Sequence, residues 1–141
     1  MKVEGAIKIE GGCHCGRIAY EATVDPNAAG ICHCDDCQAF SGAPFRASVP
    51  VRAEDFHLLR GEPAVYVKVA DSGTRRAQGF CGVCGSALYA TQPDRPVVYN
   101  LRLGSVKQRA RIVPKRQIWC GSAQAWALDI RDIPAFPGQP S

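Results

Sequence analysis

The sequence predicts a mostly β single domain of several small twisted sheets, stapled by zinc. Three observations predict it. Apolar and polar residues alternate over short runs, no stretch carries an apolar helical stripe over three turns, and seven of the eight cysteines fall into three tight groups.

The strands come first. In 17–24, Ile18, Tyr20, Ala22 and Val24 alternate with Arg17, Ala19, Glu21 and Thr23. In 45–52, Phe45, Ala47, Val49 and Val51 alternate with Arg46, Ser48, Pro50 and Arg52. Val65, Val67 and Val69 share one face of 65–69, and Val97, Tyr99, Leu101 and Leu103 share one face of 97–103. Each pattern has the period of two that a half-buried strand requires. Turn signals separate them: DPN at 25–27, RGEP at 60–63, DSGT at 71–74 and QPDRP at 92–96. A single helical turn is expected at 35–40, where Asp35 and Asp36 suit a helix N-terminus. Pro134 and Pro137 mark an extended C-terminal tail.

No repeat or linker divides the 141 residues, so residues 1–141 read as one domain. Hydrophobic residues make up 46% and charged residues 21%, which excludes a disordered chain. No apolar run approaches a membrane span. The opening MKVEGAIKIEGG has neither the apolar core of a signal peptide nor a transit pattern, so a cytoplasmic address is the expectation.

In a reducing compartment, clustered cysteines are metal ligands rather than a disulfide framework. The groups are Cys13 and Cys15; Cys32, Cys34 and Cys37; and Cys81 and Cys84 in CGVCG. Short spacing in a tight turn lets neighbouring sulfurs face one point, and Gly82 and Gly85 supply the backbone freedom such knuckles need. The simplest division sets Cys13, Cys15, Cys81 and Cys84 around one zinc. That site is closed, hence structural. Cys32, Cys34 and Cys37 then hold a second zinc with one position open, the pattern of a catalytic site. Seven thiolates (−7) against two zinc ions (+4) bring the formal net charge of +4 down to about +1. A nearly neutral protein argues against nucleic acid as its partner.

GGCHCGRIAYEA, CHCDDCQAFSGAPF and FCGVCGSALY, together with PAFP near the end, resemble the glutathione-dependent formaldehyde-activating enzyme family, which includes centromere protein V-like proteins. The resemblance spans about residues 10–136. It implies a fold of several coiled β-sheets, a structural zinc on Cys13, Cys15, Cys81 and Cys84, and a catalytic zinc on Cys32, Cys34 and Cys37. It also implies a carbon–sulfur lyase-type reaction: addition of a small thiol (glutathione) to an aldehyde (formaldehyde), forming S-hydroxymethylglutathione. Two alternatives stand beside it. One is the same chemistry on another small thiol or aldehyde; the other is a non-catalytic, zinc-stapled binding module. Members of the family commonly carry a histidine before the C-terminal tryptophan segment, where this chain has Gln117.

The remaining chemical residues divide as follows. His14 and His33 lie between cysteines, and in an extended Cys-x-Cys the middle side chain points away from the shared metal. Both are read as non-ligands, with His33 a candidate for outer support of the catalytic site. His57 reads as a strand or turn residue. Asp35 and Asp36 read as helix-end charge, with completion of the metal shell as the alternative. Ser41 and Gly42 read as a turn or as the floor of a pocket. Cys120 reads as a small buried hydrophobe, with a fourth ligand closing the triplet as the alternative, and Trp119 and Trp126 read as core or pocket wall. Seven basic residues and no acid fall between Arg95 and Arg116. They read as a solvated face or as a holder for substrate carboxylates, with a nucleic-acid- or tubulin-binding face as the third option.

Overall fold

The computed structural model describes residues 5–140. Strands β1 (Ile7–Gly12), β2 (Ala19–Val24) and β5 (Phe56–Arg60) form a three-stranded antiparallel sheet in the order β1-β2-β5. Seven further strands are β3 (Gly30–Cys32), β4 (Arg46–Arg52), β6 (Ala64–Val69), β7 (Arg75–Phe80), β8 (Ala87–Thr91), β9 (Val98–Arg102) and β10 (Arg116–Ile118). They form one sheet in the order β10-β3-β4-β9-β8-β7-β6, in which β10 and β3 run parallel. The mostly β expectation holds, with the strands gathered into two sheets. Helix α1 (Asp35–Ser41) lies between β3 and β4.

Register explains how the large sheet serves two purposes. Directly opposed residues share a face. On one face Val49 opposes Leu101, Leu101 opposes Tyr89, and Val51 opposes Tyr99. These residues join Ile9, Tyr20, Ala22 and Val24 of the small sheet in a single core. Aromatic rings bridge the sheets: Phe56 lies 5.3 Å from Tyr20 and 4.5 Å from Tyr99, and Tyr89 meets Tyr99 edge-on at 4.9 Å. Each such pair adds about 0.5–1.5 kcal/mol beyond its buried area.

On the other face Cys32 opposes Arg46, Ser48 opposes Arg102, Asn100 opposes Ala90, Ala90 opposes Gln78, and Arg76 opposes Lys68. This polar side of the strands is the floor of a cavity rather than a solvated surface.

One close approach sets the spacing of β1 and β2. Gly11 opposes Tyr20, and a Cβ at Gly11 would stand 2.3 Å from the tyrosine ring and 2.5 Å from the Ser105 carbonyl. The ring is buried, with its hydroxyl 2.7 Å from Ser105 Oγ. Gly11→Ala is therefore expected to destabilise the fold by about 1–3 kcal/mol, the range for overpacking a filled core. Thermal unfolding reads this, and an unchanged melting temperature would contradict it.

Three expectations need correction. Val65 and Val69 are exposed, because β6 is the outermost strand and their face meets no second layer. Cys120 is exposed, as are Trp119 and Trp126. These three lie in short 3-10 turns and connections after β10, outside both sheets. Among the described residues, no helix is long and apolar enough to cross a membrane.

Candidate metal centres and the cation-lined cavity

Two groups of thiols come together, and they are the two groups expected: Cys13, Cys15, Cys81 and Cys84, and separately Cys32, Cys34 and Cys37. Within each group the sulfurs lie within 4.8 Å of one another.

The first group joins the β1–β2 connection to the β7–β8 connection, so it ties the two sheets together. Cys13 and Cys15 sulfurs are 3.6 Å apart, and Cys15 and Cys81 sulfurs 3.7 Å. A tetrahedral zinc with Zn–S of about 2.3 Å sets its sulfurs about 3.8 Å apart, whereas a disulfide needs about 2.05 Å. Backbone N–H groups point at the sulfurs. Ile18 donates to Cys13 at 3.2 Å, and Val83 and Cys84 donate to Cys81 at 3.4 and 3.5 Å. The Ser86 hydroxyl lies 3.2 Å from the Cys84 sulfur and, helped by backbone groups of Cys15 and Ser86, brings that thiol down to about 5. Gly85 turns the knuckle in the left-handed region, at φ 80°. The donor set thus fits a soft divalent ion.

The second group is built where β3 ends and α1 begins. Cys32 is the last residue of β3, and Cys34 caps the helix, its sulfur accepting the Cys37 N–H at 3.3 Å. Cys37, one turn in, is buried. Burial pushes the Cys32 thiol up to about 12, with the Cys37 and Cys34 sulfurs adding to the effect. Burial also opposes ionisation of Cys34, but the Cys37 amide and the neighbouring sulfurs outweigh it and lower that thiol. One thiol ionises readily beside another that resists, so three thiolates together need a cation between them.

Among the described residues, no fourth protein ligand joins this triplet. Cys120, Asp35 and Asp36 stand outside the cluster. Asp36 pairs with Lys68 instead, which raises the lysine and keeps it protonated. His14 and His33 are also outside. His33 lies on the opposite side of β3, its Nε2 2.7 Å from Gln117 Oε1 and its ring edge-on to Phe45. Its carbonyl accepts from Gln38 Nε2 of α1 at 2.8 Å. Ser41 and Gly42 form the end of α1, with Gly42 left-handed at φ 63°. His57 sits exposed in β5.

The triplet opens into a cavity of about 420 Å³ whose wall includes Cys32, Cys34, Cys37, Arg46, Arg76 and Arg102. Lys68 and Arg116 also line it. A wider cleft of about 860 Å³ shares Phe40, Arg46 and Arg102 with it. Arg102 is 7% exposed, and burial, reinforced by the charge of Arg46, lowers it to about 9. It donates to Ser48 Oγ at 2.6 Å and to Gln78 Oε1 at 3.2 Å. Arg46 donates to the same Gln78 oxygen at 3.1 Å and lies over the Phe40 ring. Arg102 belongs to the basic tract 95–116, for which a carboxylate-holding role is one of the readings, whereas Arg46 and Arg76 escaped sequence reasoning because each looks like an ordinary polar position of a strand. The absence of an acid between Arg95 and Arg116 was the available signal.

A mostly β fold carrying two separated cysteine clusters, one of them facing a basic cavity, defines a small two-centre thiolate protein. The family model described as glutathione-dependent formaldehyde-activating enzyme matches residues 8–122, and the chain belongs to that family. A crystal structure of a Rhodobacter sphaeroides protein has a similar fold, with a TM-score of 0.59 and 19% identity over 77% of this chain and 98% of that one.

Proposed function

We propose that the protein is a zinc-dependent carbon–sulfur lyase-type enzyme joining a glutathione-like thiol to a small aldehyde, with formaldehyde as the family's example. The observation that carries this reading is the contrast between the clusters. Four thiols gather in one group, while three thiols line the 420 Å³ cavity and, among the described residues, gather no fourth ligand. Cys13, Cys15, Cys81 and Cys84 would hold a structural zinc, and Cys32, Cys34 and Cys37 a catalytic one. Bound in the triplet, zinc would keep a substrate thiol ionised near neutral pH.

The chain's own residues supply the rest. In the addition a sulfur–carbon bond forms, and the thiol proton ends on the former carbonyl oxygen. The protonated Lys68, held by Asp36, and the Asn100 amide line the cavity and can donate to that oxygen as it gains charge. The arginines favour an anionic thiol, and α1 walls the triplet on one side. His33 supports the helix end through its carbonyl.

The test is the rate of thiol–formaldehyde addition, followed by NMR exchange, with zinc-loaded and chelated protein. We expect acceleration that chelation removes and zinc restores. A zinc-loaded protein that does not accelerate the exchange would favour the binding-module alternative.

A further inference from the structure

None of the three arginines in the cavity, Arg46, Arg76 and Arg102, is in an ion pair among the described residues. Asp36, the carboxylate that lines the cavity, is paired with Lys68. Arg102 is more than nine-tenths buried, yet its partners are the neutral Ser48 and Gln78. Arg46 Nε is buried with no hydrogen-bond partner at all. Both Arg46 and Arg102 donate to the single Gln78 oxygen, which gathers two guanidinium groups at one point. Arg76 stands two residues from Gln78 on β7, on the same face of the sheet, and lines the same cavity.

Like charges at close quarters in a poorly solvated site cost free energy unless an anion answers them. The triplet answers only in part, because three thiolates around a divalent cation carry a single net negative charge. Formaldehyde carries none.

We propose that Arg46, Arg76 and Arg102 form a carboxylate-binding subsite on the cavity floor, making an acidic small molecule the preferred substrate. This rests on the reading of the triplet as the reacting centre. A planar, two-oxygen anion matches guanidinium geometry, and the free Arg46 Nε is a donor left for it. The carboxylate has two chemical sources: the thiol, as in glutathione, or the carbonyl partner, as in a 2-oxo acid. Gln78 positions the guanidinium groups and leaves their remaining donors to the ligand.

The test compares wild type with Arg46→Gln, Arg76→Gln and Arg46→Lys, each first checked for melting temperature and zinc content. Binding is read without turnover, as the thermal stabilisation given by S-methylglutathione, which keeps both carboxylates but has no free thiol. Wild type is expected to be stabilised, Arg46→Gln and Arg76→Gln to bind at least about tenfold more weakly, and Arg46→Lys to fall between. Turnover then separates the sources. If the carboxylate is on the thiol, the Gln variants raise KM for 3-mercaptopropionate with formaldehyde by a larger factor than KM for 2-mercaptoethanol. If it is on the carbonyl partner, they raise KM for glyoxylate by a larger factor than KM for formaldehyde; S-methylglutathione stabilisation is then replaced by stabilisation with glyoxylate. Arginine variants that change neither stabilisation nor KM for any carboxylated compound would overturn the subsite. Stabilisation by carboxylates without turnover of any pair would keep the subsite and overturn the catalytic reading alone.

Discussion

Cys81→Ser is expected to lower the melting temperature by more than about 10 °C, or to prevent folding at ambient temperature. The side chain is 1% exposed, and its sulfur accepts two backbone N–H bonds in the β7–β8 knuckle. Serine is nearly isosteric, so packing changes little. What is lost is a soft ligand from a site that joins the small sheet to the large one across 66 residues of chain between Cys15 and Cys81. Losing one of four thiolates weakens the metal, and the metal's binding energy at such a site is folding energy. Cys120→Ser is the matched control, because that thiol is exposed and belongs to neither cluster. Calorimetry on the two variants decides the matter. Equal melting temperatures for Cys81→Ser and Cys120→Ser would show that the four-thiol cluster does not hold the fold.

Cys34→Ser is expected to do the reverse: to leave the fold and lower turnover by more than about a hundredfold. Cys34 has two roles in the structure. Its sulfur belongs to the triplet, and it caps α1 by accepting the Cys37 N–H. Serine is among the best capping residues, so the helix end survives the change. It is a poor ligand for a soft, thiolate-rich site, so the metal does not. Zinc content is expected to fall by one ion per chain with little change in melting temperature. A variant that keeps both its zinc and its rate would contradict the assignment of the triplet.

Much of this was legible in the sequence. The alternation in 17–24 and 45–52 marks β2 and β4, and the grouping of cysteines by spacing matches the two clusters in the fold. Ligand spacing is legible because a knuckle is local: a few residues and a glycine determine where two sulfurs point. The helix at 35–40 was legible for the same reason, through its acidic first turn.

What was hidden is what depends on pairing partners. β3 and β10 have three residues each, too short to show a period, and exist because each finds an edge to join. Val65 and Val69 alternate correctly, but alternation cannot say that β6 is an edge strand with no second layer over its face. The largest omission was the second use of polar alternation. Arg46 and Ser48 look like solvent-facing residues in one strand, and only the register with β9 and β7 sets them against Arg102 and Gln78 as a cavity floor. Trp119 and Trp126 read as core or pocket wall because no other aromatics are interleaved with the basic residues around them, but the segment after β10 lies outside both sheets and leaves both exposed.

The central claim is that one thiolate centre is closed and the other open. X-ray absorption at the zinc edge, on protein loaded with zinc at both sites, tests it most directly. A closed tetrathiolate and an open trithiolate together give about 3.5 sulfurs per zinc, rising to about 4 when glutathione fills the open position. Four sulfurs per zinc before any thiol is added, or no rise on adding glutathione, would contradict the account.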